Sequence, residues 1–290
     1  MDKLLEGGHF YEGARWHQGA WWVSDVYGDE VLRITPDGQS SVAARVEQPS
    51  GLGWLPNGDL LVVSMRQRLL LRQAADGTLS THADLSKHSE PWVNDMAVDR
   101  NGHAYIGSTG FRFWAGDMPG PAPLFHISPE GAIDVAADDL LFPNGIVVSP
   151  DGKTLILAES YGNRLTAFTI GEAGALSDRR VWAQFGPTPS LDNPANVNLQ
   201  EFAPDGCAID REGCVWVADG LHSRVGRVAD GGRIVEEVHV EGWGVYSCAL
   251  GGEDGRTLLI CAAPDFAPET RSAKAEAVLF QCQVEVPAVV

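Results

Sequence analysis

The chain has 290 residues, of which 44% are hydrophobic and 21% charged, a composition typical of a globular protein with a large core and not of a disordered or collagen-like chain. Lys and Arg number 21 against 39 Asp and Glu, so the formal net charge is −18. This charge would repel nucleic-acid phosphates and anionic lipid surfaces, and we expect neither to be the main partner.

The sequence contains no segment that resembles a membrane helix or a secretion signal. No stretch approaches the ~18 to 20 apolar residues that span a bilayer, and the first ten residues lack the apolar run of a signal peptide. We therefore predict a cytoplasmic location. The five cysteines include no C-x-x-C pair and are odd in number, which favours buried thiols over a disulfide framework or a zinc site.

One unit recurs six times along the chain: an apolar strand, a turn with glycine, and a second apolar strand that ends in a small or acidic residue. The copies cover residues 13–25, 50–64, 94–108, 144–160, 205–219 and 247–263. Their turn glycines are 39, 44, 50, 61 and 42 residues apart, close to the length of a four-stranded propeller blade. The pattern predicts an all-β chain folded as one six-bladed β-propeller with four-stranded blades over residues 1–290. A β-sandwich, the alternative, would leave the six copies unexplained.

The predicted propeller also needs a closing strand. We expect a strand near the N-terminus to pair with the last blade, which contains Val278 to Val284.

A polar residue begins the first strand of every copy. Counted back from the turn glycines, these six residues, called the ring residues below, are Glu12, Ser50, Asn94, Asn144, Asp205 and Ser247. Because the innermost strand of each blade lines the central channel, these oxygen donors are expected to converge at one mouth of it. Hard oxygen donors suit Ca²⁺, Mg²⁺ or Mn²⁺, and two carboxylates leave Zn²⁺ and Fe²⁺ open. The alternative is that Asn-Gly and Asp-Gly pairs merely begin strands here.

A second set of residues ends the second strand of each copy: Asp25, Ser64, Ser108, Glu159, Asp219 and Ala262. An antiparallel hairpin returns them to the same mouth, where they would surround the ring. We expect Asp219 and the nearby His222 to contact substrate; polar strand ends that simply meet solvent are the alternative. The G-x-S-x-G and H-E-x-x-H signatures of serine hydrolases and zinc proteases are absent from the sequence.

Four segments carry a family resemblance: YEGARW, VNDMAVDRNGHAYIGSTGF, FPNGIVVSPDGKTLILAES and APDGCAIDREGCVWVAD. They resemble, in order and over nearly the whole chain, the gluconolactonase, regucalcin and senescence-marker family of six-bladed propellers. The resemblance implies one divalent metal ion, with Ca²⁺ as first choice, held by Glu12, Asn144 and Asp205. It also implies that Asn94 contacts the substrate or the water shell of the metal.

The sequence departs from this family at one informative position. Lactonases of the family often carry an arginine just before the N-D pair, where this chain has Trp92-Val93. An arginine there could bind sugar hydroxyls through several hydrogen bonds. We therefore expect Trp92 at the substrate site and leave open a more apolar lactone or ester beside a sugar lactone.

Together these residues predict metal-dependent hydrolysis of a small-molecule lactone or ester. The cation would polarise the carbonyl, and Asn94 would orient the carbonyl or the water. One of the two carboxylates, with Asp205 as first choice and Glu12 as the alternative, would deprotonate the attacking water. The alternatives are a non-catalytic metal- or ligand-binding propeller and a hydrolase of aryl esters or organophosphates. The long segment 185–203 is expected to be either a lid over the mouth or an ordinary surface loop.

Overall fold

The computed structural model describes residues 1–289, whose strands form six four-stranded antiparallel sheets. Blade 1 consists of β2 (Tyr11–His17), β3 (Ala20–Asp25), β4 (Glu30–Ile34) and β5 (Ser40–Arg45). Blade 2 consists of β6 (Pro49–Trp54), β7 (Leu60–Ser64), β8 (Leu69–Gln73) and β9 (Leu79–Asp84). Blade 3 consists of β10 (Val93–Val98), β11 (Ala104–Ser108), β12 (Ala122–Ile127) and β13 (Ile133–Leu140).

The second half of the chain continues the same order. Blade 4 consists of β14 (Pro143–Val148), β15 (Thr154–Glu159), β16 (Arg164–Ile170) and β17 (Leu176–Gln184). Blade 5 consists of β18 (Pro204–Ile209), β19 (Val215–Asp219), β20 (Arg224–Val228) and β21 (Ile234–His239). Blade 6 consists of β22 (Gly244–Gly251), β23 (Thr257–Ala263), β24 (Ala277–Gln283) and β1 (Asp2–Gly8).

Helix is scarce and short. The helical segments are α1 (Pro268–Ala273) and three 3₁₀ turns, Phe113–Ala115, Glu172–Gly174 and Pro194–Leu199. Among residues 1–289, none of these segments has the length and apolarity needed to cross a bilayer. The predicted six-bladed, four-stranded all-β fold is confirmed.

The ring is closed by the two ends of the chain. β1 pairs antiparallel with β24, from Asp2 opposite Gln281 to Gly8 opposite Ala277, so blade 6 contains strands from both ends. The expected pairing of an N-terminal strand with the last blade is confirmed. The five cysteines are free thiols, as expected, and Cys207, Cys248 and Cys261 are buried.

Apolar side chains from facing sheets fill the space between neighbouring blades. Between blades 2 and 3, for example, Leu61 and Val63 pack in one cluster with Met96 and Ile106. The inner strands, such as β7, are covered on both faces and are largely apolar, whereas the outermost strands, such as β5 and β9, are largely exposed.

Each innermost strand carries one extra residue at or beside the ring position. In blade 4, Pro143 opposes Glu159, whereas Ile146 opposes Leu157, so three steps on β14 match two on β15. Equivalent register shifts occur in the innermost strands of the other five blades. Such β-bulges redirect a side chain, and here they set the orientation of the ring residues.

The innermost strands approach each other at backbone distance. Glycine directly follows four ring residues, at positions 13, 51, 145 and 206. A Cβ on Gly145 would lie 2.4 Å from the Asp205 carbonyl oxygen, and one on Gly13 would lie 2.2 Å from the Ser50 carbonyl oxygen. Only glycine permits this approach, which brings ring residues of adjacent blades together.

We predict that Gly145→Ala lowers the free energy of unfolding by about 1 to 3 kcal/mol, because the added methyl group forces blades 4 and 5 apart. Urea denaturation measures the change. Gly120→Ala is the matched control, because a Cβ there has no neighbour within 4 Å. Equal stability of the two variants would contradict the close approach.

Candidate metal and substrate site

Four of the six ring residues line one cavity of about 160 Å³: Glu12, Asn94, Asn144 and Asp205. They come from blades 1, 3, 4 and 5, so the fold brings together positions far apart in the sequence. The other two ring residues, Ser50 and Ser247, are buried beside the cavity and do not line it.

A chain of hydrogen bonds fixes the amide side chains. Ser50 Oγ donates to Asn94 Oδ1 (3.3 Å), and Asn94 Nδ2 donates to Asn144 Oδ1 (3.1 Å). Asn144 Nδ2 donates to Ser160 Oγ (3.1 Å), which donates to the Pro204 carbonyl oxygen (2.7 Å). Each Asn side chain accepts one hydrogen bond at Oδ1 and donates one from Nδ2 along this chain. These bonds fix the positions of both amide oxygens.

Ser160 also lines the cavity and was missed by the sequence analysis. Its only signal in the sequence is that it directly follows Glu159, the last residue of β15.

The carboxylates of Glu12 and Asp205 form the electrostatic centre of the site. Burial raises the pKa of Glu12 well above its ordinary value, and the charges of Asp205 and Asp95 raise it further. The pKa of Asp205 is also raised, first by burial and then by Asp95. Asp205 Oδ1 is buried and has no hydrogen-bond partner in residues 1–289. A bound cation would satisfy this oxygen and both carboxylates.

The donor set fits a hard divalent cation. It offers two carboxylates and the Asn144 amide oxygen, all of them ligands that such cations accept. Within residues 1–289, no three His, Cys, Asp or Glu side chains gather in a metal-binding arrangement, so the candidate set depends on the amide.

A single guanidinium lies next to this group of acids. Arg15 donates to Asp95 Oδ1 (3.1 Å) and to the carbonyl oxygens of Met96 (2.6 Å) and Ala14 (2.8 Å). Asp95 follows the ring residue Asn94, at the position where four other blades have glycine. Glu12, Asp95 and Asp205 carry three negative charges when ionised and Arg15 carries one positive charge. The remaining charge of −2 matches a divalent cation.

Asp219 and His222 do not line the cavity. Asp219 is fully buried and accepts hydrogen bonds from Arg224 Nε (2.9 Å) and from the backbone N–H of Ala203 (3.1 Å). His222 Nδ1 lies 2.9 Å from Asp219 Oδ2, and its side chain is exposed. Neither of the two residues predicted to contact substrate therefore lines the cavity.

Asp219 has a structural counterpart in two other blades. Asp25 accepts hydrogen bonds from the backbone N–H groups of His9 and Phe10, and Glu159 accepts one from that of Leu141. Each carboxylate holds the segment that enters an innermost strand, two or three residues before Glu12, Asn144 or Asp205. All six strand-end residues are buried, so the alternative that they meet solvent is wrong.

The cavity walls are mainly apolar. Trp92 lines the cavity, as expected, and stacks on Trp114 with ring centroids 3.6 Å apart. The long segment 185–203 contributes three residues to the cavity wall, Val197, Asn198 and Ala203. This segment therefore forms part of the cavity and is not a remote surface loop.

We predict that Glu12→Gln raises the melting temperature of the metal-free protein at pH 7.5, because the substitution removes one of two half-buried carboxylate charges that face the same cavity. The same variant loses most of the stabilisation that Ca²⁺ gives the wild type. Because the pKa of Glu12 is raised in the folded state, the metal-free wild type loses stability as pH rises above the ordinary carboxyl range. The difference in melting temperature between Glu12→Gln and the wild type therefore shrinks toward pH 5.

Thermal melts with chelator and with Ca²⁺ test this, with the exposed Glu241→Gln as control. Equal Ca²⁺ stabilisation of wild type and Glu12→Gln would refute Glu12 as a ligand.

We further predict that Arg15→Met destabilises the protein by about 3 to 5 kcal/mol, because it leaves the buried Asp95 unpaired. Adding Asp95→Asn recovers most of the loss. Arg45→Met, at the exposed pair with Glu30, is the control and changes stability by about 1 kcal/mol or less. Urea denaturation of the single and double variants gives the coupling free energy between Arg15 and Asp95. If the two substitutions are simply additive, the ion pair between them is refuted.

The family model for the SMP-30/Gluconolactonase/LRE-like region matches residues 10–264. Among proteins of similar sequence, 6-deoxy-6-sulfogluconolactonase of Pseudomonas putida is 27% identical, covering 93% of this chain and 88% of its own. Regucalcin of Xenopus laevis is 26% identical, covering 83% of this chain and 78% of its own.

Solved structures show the same fold. The calcium-binding protein regucalcin from Agrobacterium tumefaciens has a TM-score of 0.80 at 21% identity, covering 99% of this chain and 94% of its own. A gluconolactonase from Xanthomonas campestris has a TM-score of 0.72 at 22% identity, covering 98% of this chain and 88% of its own. Since the family model spans most of the sequence and agrees with the motifs, the chain belongs to the SMP-30/gluconolactonase/LRE-like family.

Proposed function

We propose that this protein hydrolyses a lactone with the help of one divalent cation, Ca²⁺ being the first choice, held by Glu12, Asn144 and Asp205. The observation that carries the proposal is that two half-buried carboxylates from blades 1 and 5 line one cavity, where the buried Asp205 Oδ1 has no hydrogen-bond partner within residues 1–289. Groups of this kind raise the energy of the metal-free protein, which favours a functional role over a structural one.

When bound, the cation would supply Lewis-acid polarisation of the lactone carbonyl. The side chains of the chain then have separate tasks. Asp205 accepts a proton from the attacking water, and Asn94, fixed between Ser50 and Asn144, orients the carbonyl or the water by hydrogen bonding.

The overall reaction consumes one water. Its oxygen bonds to the carbonyl carbon, the bond between that carbon and the ring oxygen breaks, and the ring oxygen receives a proton. The product is an open-chain hydroxy acid, which leaves as a carboxylate at neutral pH.

The relatives support lactone chemistry in general. One is named a 6-deoxy-6-sulfogluconolactonase and another, at 22% identity, a putative sugar lactone lactonase of Bacillus subtilis. We carry over the ring-opening reaction and not the sulfonated substrate, because none of the cavity-lining residues is Lys, Arg or His.

We predict that chelation abolishes lactone hydrolysis and that added Ca²⁺ or Mn²⁺ restores it. Asp205→Asn should lower kcat/KM by about 10²-fold or more, because it removes both a charged ligand and the proton acceptor. The assay follows acid release from a panel of sugar, aliphatic and aromatic lactones, with aryl esters and an organophosphate included.

Asp138→Asn, an exposed carboxylate on β13, is the control and should retain wild-type activity. Full activity in chelator, or in Asp205→Asn, would refute the metal-dependent mechanism. Metal binding without turnover of any panel member would instead support a non-catalytic metal- or ligand-binding propeller. Turnover of only the aryl esters or the organophosphate would support a hydrolase of those compounds.

A further inference from the structure

We infer that the substrate is a lactone whose ring carries an uncharged apolar substituent, such as an alkyl or aryl group, and not a polyhydroxylated or anionic sugar lactone. The inference rests on the lactonase function proposed above and adds the class of substrate. It follows from the walls of the cavity, whereas the function follows from the oxygen donors.

Two groups of aromatic side chains form opposite walls of the cavity. Blades 3 and 4 supply Trp92, Phe113, Phe142 and Tyr161. Phe113 and Phe142 have ring centroids 5.7 Å apart, and Phe142 and Tyr161 have centroids 5.5 Å apart. These four rings present one continuous apolar surface.

The facing wall comes from blades 6 and 1 and their connections: Phe10, Tyr27, Tyr246 and Phe266. The centroid of Phe10 lies 4.9 Å from that of Tyr246 and 6.1 Å from that of Tyr27. In a closed ring of six blades, blades 3 and 4 lie opposite blades 6 and 1. A substituent on the lactone ring would therefore lie between two aromatic surfaces, with Met65 and Leu221 on the sides between them.

The walls offer few partners for hydroxyl groups. Apart from the ring residues, the lining residues with polar groups are Thr109, Ser160 and Asn198, together with the phenol hydroxyls and the indole N–H of the aromatic walls. Thr109 Oγ1 donates to the Phe111 carbonyl oxygen and Ser160 Oγ to that of Pro204, so both of these donors are used within the protein. A sugar lactone would bury several hydroxyls against walls made mostly of aromatic carbon, and each hydroxyl left unpaired weakens binding about tenfold.

Anionic substituents are disfavoured more strongly. The cavity contains the carboxylates of Glu12 and Asp205, none of its lining residues is cationic, and the whole chain carries a formal charge of −18. Because the proposed cation only balances the charge of these side chains, a phosphate or sulfonate on the substrate would have no cationic side chain as a partner.

A series of δ-lactones with the same ring tests the inference. Glucono-δ-lactone, δ-hexalactone, δ-octalactone and δ-decalactone differ in their ring substituents, and spontaneous hydrolysis is subtracted for each. We expect kcat/KM to rise up to about fourfold for each added methylene until the cavity is full. Glucono-δ-lactone should be the poorest of the four.

A matched pair of variants separates the wall from the rest of the molecule. Leu221→Asn, in the cavity wall, should flatten the chain-length dependence, whereas Leu79→Asn, an exposed position on β9, should leave it unchanged. Thermal melts with and without Ca²⁺ verify that both variants fold and bind metal. If Leu221→Asn fails to fold, Leu221→Thr replaces it.

The outcomes distinguish this inference from the proposed function. If glucono-δ-lactone is hydrolysed faster than every alkyl lactone, or if kcat/KM does not change with chain length, the inference is overturned and the lactonase function stands. If no lactone is hydrolysed by the metal-bound protein, both are overturned.

Discussion

The site depends on holding two negative charges close together inside the protein. Burial raises the pKa of both Glu12 and Asp205, and neighbouring carboxylates raise it further: Asp205 and Asp95 for Glu12, and Asp95 for Asp205. Isolated strands could not maintain this arrangement. The six sheets can, because each innermost strand packs directly against its neighbours and the apolar clusters between blades resist any outward shift. The stability of the sheets thus offsets the unfavourable electrostatics of the site.

The repeat pattern was sufficient to predict the fold and the ring of polar side chains. Six copies of one hairpin specify six sheets, and a count of eight residues back from the turn glycine, or seven in the first copy with its shorter turn, identifies Glu12, Asn94, Asn144 and Asp205. These four line one cavity because they share a register, and shared register is a property of sequence spacing. Trp92 was expected at the site for a different reason, because it stands where lactonases of the family often carry an arginine.

The remaining features depend on contacts that spacing does not encode. Asp219 and His222 are close in sequence to the mouth, yet neither lines the cavity, and the Asp219 carboxylate instead accepts hydrogen bonds from Arg224 and the Ala203 N–H. The bulges of the innermost strands follow from packing around the axis and have no sequence mark except the glycines. Arg15 could not be linked to Asp95 from sequence, because the two lie on different blades and meet only when the ring closes.

The pairing of β1 with β24 has a consequence for how the chain is made. During synthesis β1 leaves the ribosome long before β24, so blade 6 retains an open edge until β24 follows. Nascent chains would therefore have to protect that edge from pairing with other chains. Closure between strands so far apart in the sequence also adds loop entropy to the folding barrier, which places this fold among the slow-folding topologies.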